Sequence, residues 1–576
     1  MGLKELGLET GEKRSEPGTG EPGTGEPEIG EPGTGEPKTS ESRTGESGAG
    51  ESETDVSKWK VAKRMVPFIS FCIVAFTNGF DVSSVANIQP RLYEVFGHIE
   101  LLPWIGLSYS LANFATLPIA RGVLMSLDMK YSALFGMAVF AAGAATAGAA
   151  PTIAVLILGR AIMGVGGSIC QHCAFSYCTL FAEGRASVLY SILSVSWALG
   201  LVAGGPIGSV FATNVTRRWA CYVNLPLLGF ASVLVIFCLP KCSTSSPRGS
   251  LSTWVIELDL LGTFLQIAAT VLFAVSFTLS GPVWPWGSAS STCFIVAFVC
   301  TTAFWFLQQC FSFLTTPEHR VFPFHCLFPS EKYILPLWLA SACAGATYAI
   351  TLYYLPLFFA FTQGVDGLQQ MLRVLPFTLP FIFVVLVVGA VVKGEVSYWY
   401  AYVAGGTITF AAGTTLALTL EADMAQSQVM ALSAFIGIGL GMHFQHGSPI
   451  ASSRYLGNPK RKADLVILFN YALMGGISFA LVIAGAIYEN HGFDRLASAL
   501  RSYGYTDQDI REALAGVSST VWQTGGAQAR ERGLQVLCGV ISDLAYLIVS
   551  SSFICLLCGL AMTWQSQPRF YRGHMV

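Results

Sequence analysis

The chain has 576 residues, 53% of them hydrophobic and only 12% charged, with 33 basic and 35 acidic side chains and a formal net charge of −2. A soluble domain carries about 25% charged residues, so this composition excludes an ordinary water-soluble globule. No basic cluster is present to hold nucleic acid. The charge is also uneven: residues 1–57 contain 14 acidic and 5 basic side chains, which leaves the rest of the chain poorer still.

That first segment, residues 1–57, reads as a disordered cytoplasmic tail. It carries an EPGTG repeat, clearest over residues 16–35, and Pro, Gly and Glu at such density bury too little to offset ordering entropy. Met1–Thr10 lacks the apolar core of a signal peptide, and Leu6 stands where a myristoylation signal needs Ser or Thr. The 15 cysteines sit mostly inside apolar runs, as Cys72, Cys170, Cys300, Cys555 and Cys558 do, where a thiol acts as a small hydrophobe.

A bilayer core needs about 20 apolar residues per helix. Fourteen such helices are predicted near 65–88, 102–124, 131–149, 153–178, 187–212, 220–239, 257–281, 290–315, 332–360, 368–392, 397–419, 428–450, 465–489 and 537–563. An all-α membrane protein with both termini on one side follows. With the N-terminus cytoplasmic, 18 Lys and Arg fall in inner short loops and flanks against 4 outside, which fixes the orientation by the positive-inside rule. The longest loop, 490–536, then lies outside, with a short surface helix expected over Thr506–Ala515. Asn214-Val215-Thr216 is an outer-side glycosylation sequon in a short loop.

Polar groups at membrane depth are costly, so each is a functional candidate. Asp81 lies well inside span 1, where a carboxylate can exchange its proton or simply make a helix–helix hydrogen bond. Arg160, in LGRAIMGVGGS of span 4, stays charged and needs a carboxylate or several carbonyls as partners. In span 5, ALGLVAGGPIGSV places Gly200, Gly204, Gly205 and Gly208 where helices can approach closely, and Pro206 removes a backbone hydrogen bond. RRWACYVNLP, residues 217–226, follows at the helix end.

These segments resemble the major facilitator superfamily, and within it the fungal fourteen-span drug:proton antiporters. GGPIG is similar to that family's span 5 antiporter motif, RRWACYVNLP to its WRWxFxINLP, and LGRAIMGVGG to its RxxxGxG. YYLPLFFAFTQGVDGLQQMLRVLPFTLP, residues 353–380, resembles its spans 9 and 10, and residues 437–449 and 469–490 resemble spans 12 and 13. The resemblance covers about residues 60–565. Departures are visible too. The loop motif GxLxDxxGRK is reduced to GVLMSLDMK, residues 122–130, with Ser126 where an acid is expected, Met163 replaces a frequent Gln, and LDxTIV appears as FDVSSV.

The resemblance implies alternating access. An N-terminal six-helix half (58–240) and a C-terminal six-helix half (332–565) rock about a midplane cavity, with two inserted helices (241–331) between them and a short tail (566–576) after them. Asp81, tuned by Arg160, would couple protons to solute movement. Trp104, Tyr109, Asn113, Gln171, Tyr348, Tyr353, Gln445, His446 and Asn470 are polar or aromatic residues inside apolar spans, suited either to an amphiphilic organic solute or to plain packing.

His443 and His446 have H-x-x-H spacing but no carboxylate beside them, so neither a metal nor another cofactor is expected. Asp543 reads as an interfacial carboxylate in span 14, and Glu257 and Asp259 as carboxylates at the start of span 7. No phosphate-cradling GxxxxGK[ST] supports ATP-driven transport, and no constellation supports an enzyme. The reading is therefore a proton-coupled exporter of small amphiphilic or hydrophobic organic compounds, acting as a monomer in the lipid bilayer of the plasma membrane or of a vacuole or vesicle. Uptake of a solute such as a siderophore, and a transport-inactive sensor, remain as alternatives.

Overall fold

The computed structural model describes residues 49–96, 101–181, 185–240, 259–316, 319–328, 333–364, 367–391, 398–455, 458–517, 519–523 and 525–564. The chain divides into Met1–Lys58 and Trp59–Val576, and the architecture below is that of the second unit. Most of the acidic tail, residues 1–48, lies outside the described residues, as do Glu257 and the tail at 566–576.

A backbone in hydrocarbon must satisfy its own hydrogen bonds, and helices do this within one segment. Thirteen helices among the described residues are long and apolar enough to cross a bilayer. The elements in order are α1 (Ala49–Phe96), α2 (Leu102–Ala115), α3 (Leu117–Ser126), α4 (Met129–Ala149), α5 (Ile153–Phe181), α6 (Ala186–Asn214), α7 (Trp219–Tyr222), α8 (Asn224–Cys238), α9 (Leu260–Leu279) and α10 (Ala289–Phe311). They continue with α11 (Phe324–Leu327), α12 (Ile334–Gln363), α13 (Gly367–Val391), α14 (Trp399–Thr419), α15 (Gln426–His443), α16 (Gly447–Ser453), α17 (Pro459–Leu500), α18 (Asp507–Ala515), α19 (Thr520–Gln523) and α20 (Ala527–Trp564).

The span expected at 102–124 is present in two pieces, α2 and α3. The break falls at Thr116, just before Leu117-Pro118 opens the second piece, where the proline supplies no amide for the ladder. Together with the thirteen, this pair makes a fourteenth crossing. The twelfth span is likewise interrupted, between α15 and α16, with Gln445 in the left-handed region at φ 58°.

The end of the bundle where α1 begins its apolar stretch at Met65 is called here the near end, and the opposite one the far end. At the far end the expected loop is largely helical. α17 runs on to Leu500 and α20 starts at Ala527. The surface helix expected there is α18, with a capping box: the Thr506 hydroxyl accepts from the Asp509 amide, and the Asp509 carboxylate accepts from the Thr506 amide at 2.8 Å. The Thr506 hydroxyl also donates to Asp509 Oδ2 at 2.6 Å, and this bond, with that from the Thr506 amide, holds the Asp509 carboxyl below its ordinary range. A carboxyl lowered on folding adds stability above its unfolded value and loses it as pH falls through the folded one. Thr506→Ala is therefore expected to loosen α18 at neutral pH, read as faster proteolysis between α17 and α20, and the difference from the parent should shrink on acidification.

Buried apolar side chains form two large clusters. One is drawn from residues 68–239 with Val466, the other from residues 321–562 with Leu117 and Ala198. The two six-helix halves meet along a seam where α17 packs on α2 and α5, and α6 packs on α13. α9 and α10 are the inserted helices. α9 lies against α2 and α17, where Gln266 accepts from the Tyr471 hydroxyl at 3.1 Å. α10 buries only Ser291, Gln308 and Gln309 and turns apolar side chains such as Val296, Phe304 and Leu307 outward, as a lipid-facing helix does. Asp259 caps α9 by accepting from the Gly262 amide at 2.8 Å, and also accepts from the Gln308 and Gln309 side chains, which ties the two inserted helices together.

Candidate functional site

Two charges meet in the middle of the first half. Asp81 is 0% and Arg160 1% exposed, and Arg160 Nη1 donates to Asp81 Oδ2. Asn224, the first residue of α8, donates from Nδ2 to Asp81 Oδ1 at 2.8 Å. Arg160 also donates from Nε to the Ile105 carbonyl at 3.1 Å, and its guanidinium carbon lies 5.3 Å from the centroid of the Tyr109 ring. Each ion taken out of water costs several kcal/mol, so this pair persists because both partners are further hydrogen-bonded. Chemically it is a charge site with two states. The guanidinium stays charged, and only the carboxylate can take up a proton.

The span 5 glycines fix the wall behind this site. A Cβ on Gly200 would sit 2.1 Å from the Phe76 carbonyl oxygen, on Gly204 2.2 Å from that of Phe80, and on Gly208 2.3 Å from the Ser84 hydroxyl. One face of α6 thus runs against α1 on either side of Asp81. Gly205 is buried and Pro206 half-buried, and α6 continues through both. Gly204→Ala is expected to cost about 1–3 kcal/mol by overpacking. Gly229→Ala on α8, where the added carbon meets nothing within 4 Å, should be neutral or slightly stabilising. Thermal unfolding in detergent of the two variants checks this.

A cavity of about 220 Å³ opens on the far-end side of the pair. Its wall takes residues from both halves, among them Tyr109, Asn113, Arg160 and Trp197 of the first and Tyr348, Tyr353 and Gln370 of the second, over an otherwise apolar surface. At its floor the Trp197 and Tyr348 rings meet edge-on across the seam, with centroids 6.5 Å apart.

Below that floor the halves are fastened together. The Ser194 hydroxyl donates to Gln445 Oε1, and the Tyr190 and Ser448 hydroxyls are 3.1 Å apart. At the near end Arg121 Nη2 donates to Asp464 Oδ1 at 2.5 Å and Nη1 to the Arg320 carbonyl at 2.6 Å, with 11% and 6% of the two side chains exposed. His325 and Cys326 also approach Asp464, placing three potential metal-ligand atoms within 4.8 Å of one another, but that carboxylate is already held by Arg121.

The expected site residues therefore fall into groups. Asp81 and Arg160 are brought together. Tyr109, Asn113, Tyr348 and Tyr353 line the far-side cavity. Gln171, Gln445 and Asn470 border smaller cavities beneath it. His446 is buried just past Gln445, and His443 is the last residue of α15, so the H-x-x-H pair does not share one helix. Trp104 packs laterally with Leu107 and Phe273, against an inserted helix. Asp543 pairs with Arg495 at 2.9 Å at the far end. Asn224 and Arg121 were not anticipated as site residues, although Asn224 stands in the RRWACYVNLP stretch.

The profile of the Major Facilitator Superfamily matches residues 71–483. The chain belongs to this superfamily. It is thus a multi-pass transporter of small molecules rather than a member of an enzyme family. Among relatives, it is 27% identical over 504 residues to the efflux pump alnA of Emericella nidulans, covering 87% of this chain and 90% of that one. It is 30% identical over 448 residues to the efflux pump DEP3 of Alternaria brassicicola, covering 77% of each. The fold of this superfamily member is also that of a proton:xylose symporter, XylE, with a TM-score of 0.53 at 10% identity over 83% of this chain and 98% of the symporter. A bacterial homologue of the human lysosomal transporter Spinster gives 0.53 at 11% identity over 87% and 98%.

Proposed function

We propose that the protein exports small amphiphilic or hydrophobic organic compounds in exchange for protons. The observation that carries this reading is the Asp81–Arg160 pair on the edge of a cavity shared by both halves, in a bundle fastened at the opposite end. Relatives named as efflux pumps support the direction.

In this reading the near end faces the cytoplasm, with both termini there, because the basic residues collect on that side. The structure then corresponds to the outward-directed state. Solute reaches the cavity while the near end is open and leaves towards the far end. A proton arriving from outside neutralises Asp81, loosens its hold on Arg160 and biases the halves back. Tyr109, Asn113, Tyr348 and Tyr353 contact the solute through rings and a few hydrogen bonds. Gly200, Gly204, Gly205, Pro206 and Gly208 let α6 move as a rigid piece against α1. The monomer suffices, since every group invoked belongs to one chain, and the location we propose is the plasma membrane, with a vacuolar or vesicle membrane as the alternative.

Reconstituted, substrate-loaded vesicles test this. Efflux of a hydrophobic fluorescent compound should accelerate when a pH gradient is imposed and vanish when an ionophore collapses it. Flux indifferent to the gradient would refute proton exchange.

A further inference from the structure

Two small cavities, each about 20 Å³, continue from the floor of the main cavity towards the near end. Trp197 belongs to the walls of the main cavity and of the first small one, while Gln445 and Phe175 are shared between the first and the second. The three spaces are therefore arranged in series along the seam between the halves, separated by one or two side chains each.

The lower two are bordered by several polar groups without partners. Asn78 Oδ1, both amide atoms of Gln171 and both of Asn470 are buried with no hydrogen-bond partner, at 4%, 7% and 1% residue exposure. The indole nitrogen of Trp197 is likewise unpartnered. Buried polar groups in proteins are nearly always paired. A water needs about 10–15 Å³, so each space has room for one, and a single water in the first would have to meet four of these atoms at once. Groups that cost stability here are tolerable if another conformation of the cycle supplies their partners. The Ser194–Gln445 and Tyr190–Ser448 bonds cross the seam at this strip.

We propose that this strip is a second solute subsite, assembled when the near end opens, which selects neutral ring compounds bearing both carbonyl and hydroxyl groups. Among the described residues its walls contain no carboxylate, ammonium or guanidinium to recognise a charged solute. Carboxamides offer donor and acceptor together and so read both kinds of oxygen. Phe71, Phe175 and Phe469 supply apolar faces for a ring. This subsite rests on the export reading: it is the loading position, and the aromatic far-side cavity is the release position. An apolar solute without hydrogen-bonding groups would gain only the ring contacts and leave the amides unmet.

Equilibrium binding to the full-length purified protein tests the subsite separately from transport. Two probes are compared: 7-hydroxy-4-methylcoumarin at pH 6, neutral with a lactone and a hydroxyl, and tetraphenylphosphonium, which has no hydrogen-bonding group. Both are titrated into the parent and into Arg121→Ala, which frees the near end. Gln171→Leu and Asn470→Leu, each placed in both backgrounds, remove the amides while keeping bulk, so folding should be preserved or improved. The coumarin Kd is expected to rise about tenfold in each, the loss of one or two good hydrogen bonds, with tetraphenylphosphonium changed less than about twofold. Failure of the coumarin to bind either background, or equal changes for both probes, would overturn the subsite. Coumarin binding that behaves as expected while vesicle flux ignores the pH gradient would instead remove the exchange reading and leave the subsite standing.

Discussion

Asp81→Asn is expected to abolish gradient-driven transport while leaving a folded, weakened protein. The asparagine oxygen can still accept from Arg160 or from Asn224, so the geometry around α1, α5 and α8 is largely retained. What is lost is the charge. Arg160 cannot give up its proton, so it becomes a buried cation without a counter-ion, and breaking a buried pair on one side costs about 3–5 kcal/mol. Each unit of pH gradient supplies about 1.4 kcal/mol to a one-for-one exchange, or about tenfold accumulation. That dependence should fall to none in the variant.

The double variant Asp81→Asn/Arg160→Gln separates the two effects. Neutral hydrogen-bonding side chains replace both ions, so thermal stability should recover most of the way to the parent. Coupling should not recover, since no group in the site can then change charge. Gradient-dependent flux in either variant would show that the proton is carried elsewhere. Recovery of both stability and coupling in the double variant would mean that the pair is only structural.

This centre was legible in the sequence because ionised groups inside apolar runs are rare and expensive. Asp81 and Arg160 stand out in FDVSSV and LGRAIMG for that reason alone. Their partner Asn224 did not, because an amide at the start of a span looks like an ordinary end residue. Trp197 was passed over while Trp104 was chosen, because an aromatic ring in an apolar span does not show which way it faces: packing sets Trp104 against an inserted helix and Trp197 between two cavities. Hydropathy located the crossings, yet it missed the helical extension of α17 to Leu500. HGFDRLASAL is polar enough to leave the membrane and still helical, and an apolar-run criterion ends where the lipid does. The break in the second span had a visible cause in Pro118, whereas the backbone of Gln445 did not, since only tertiary contacts hold a non-glycine residue at that φ.

Arg121→Ala is expected to shift the population towards the near-end-open state. Arg121 and Asp464 lie at the ends of their spans, where charges are usual, so sequence alone gave them no more weight than other flanking residues. The structure sets them against each other across the seam between α3 and α17, at 2.5 Å and mostly shielded from water. Removing the guanidinium leaves Asp464 without its ion pair only while the near end is closed. Once the halves part, water solvates the carboxylate. The variant therefore destabilises one state selectively, which is the requirement for moving an equilibrium. A loss approaching about 3 kcal/mol corresponds to more than a hundredfold in population, enough to invert a modest preference. The readout is labelling of a cysteine placed at Ser341, which borders the lower cavity and takes part in neither seam bond, by a membrane-impermeant thiol reagent applied from the near side, in a background whose native thiols near the near end are replaced. Labelling should accelerate at least about tenfold in Arg121→Ala, and the exchanged pair Arg121→Asp/Asp464→Arg should bring it back towards the parent rate. If neither change moved the labelling rate, the contact would be incidental to gating, and the closure would rest on the Tyr190–Ser448 and Ser194–Gln445 bonds alone.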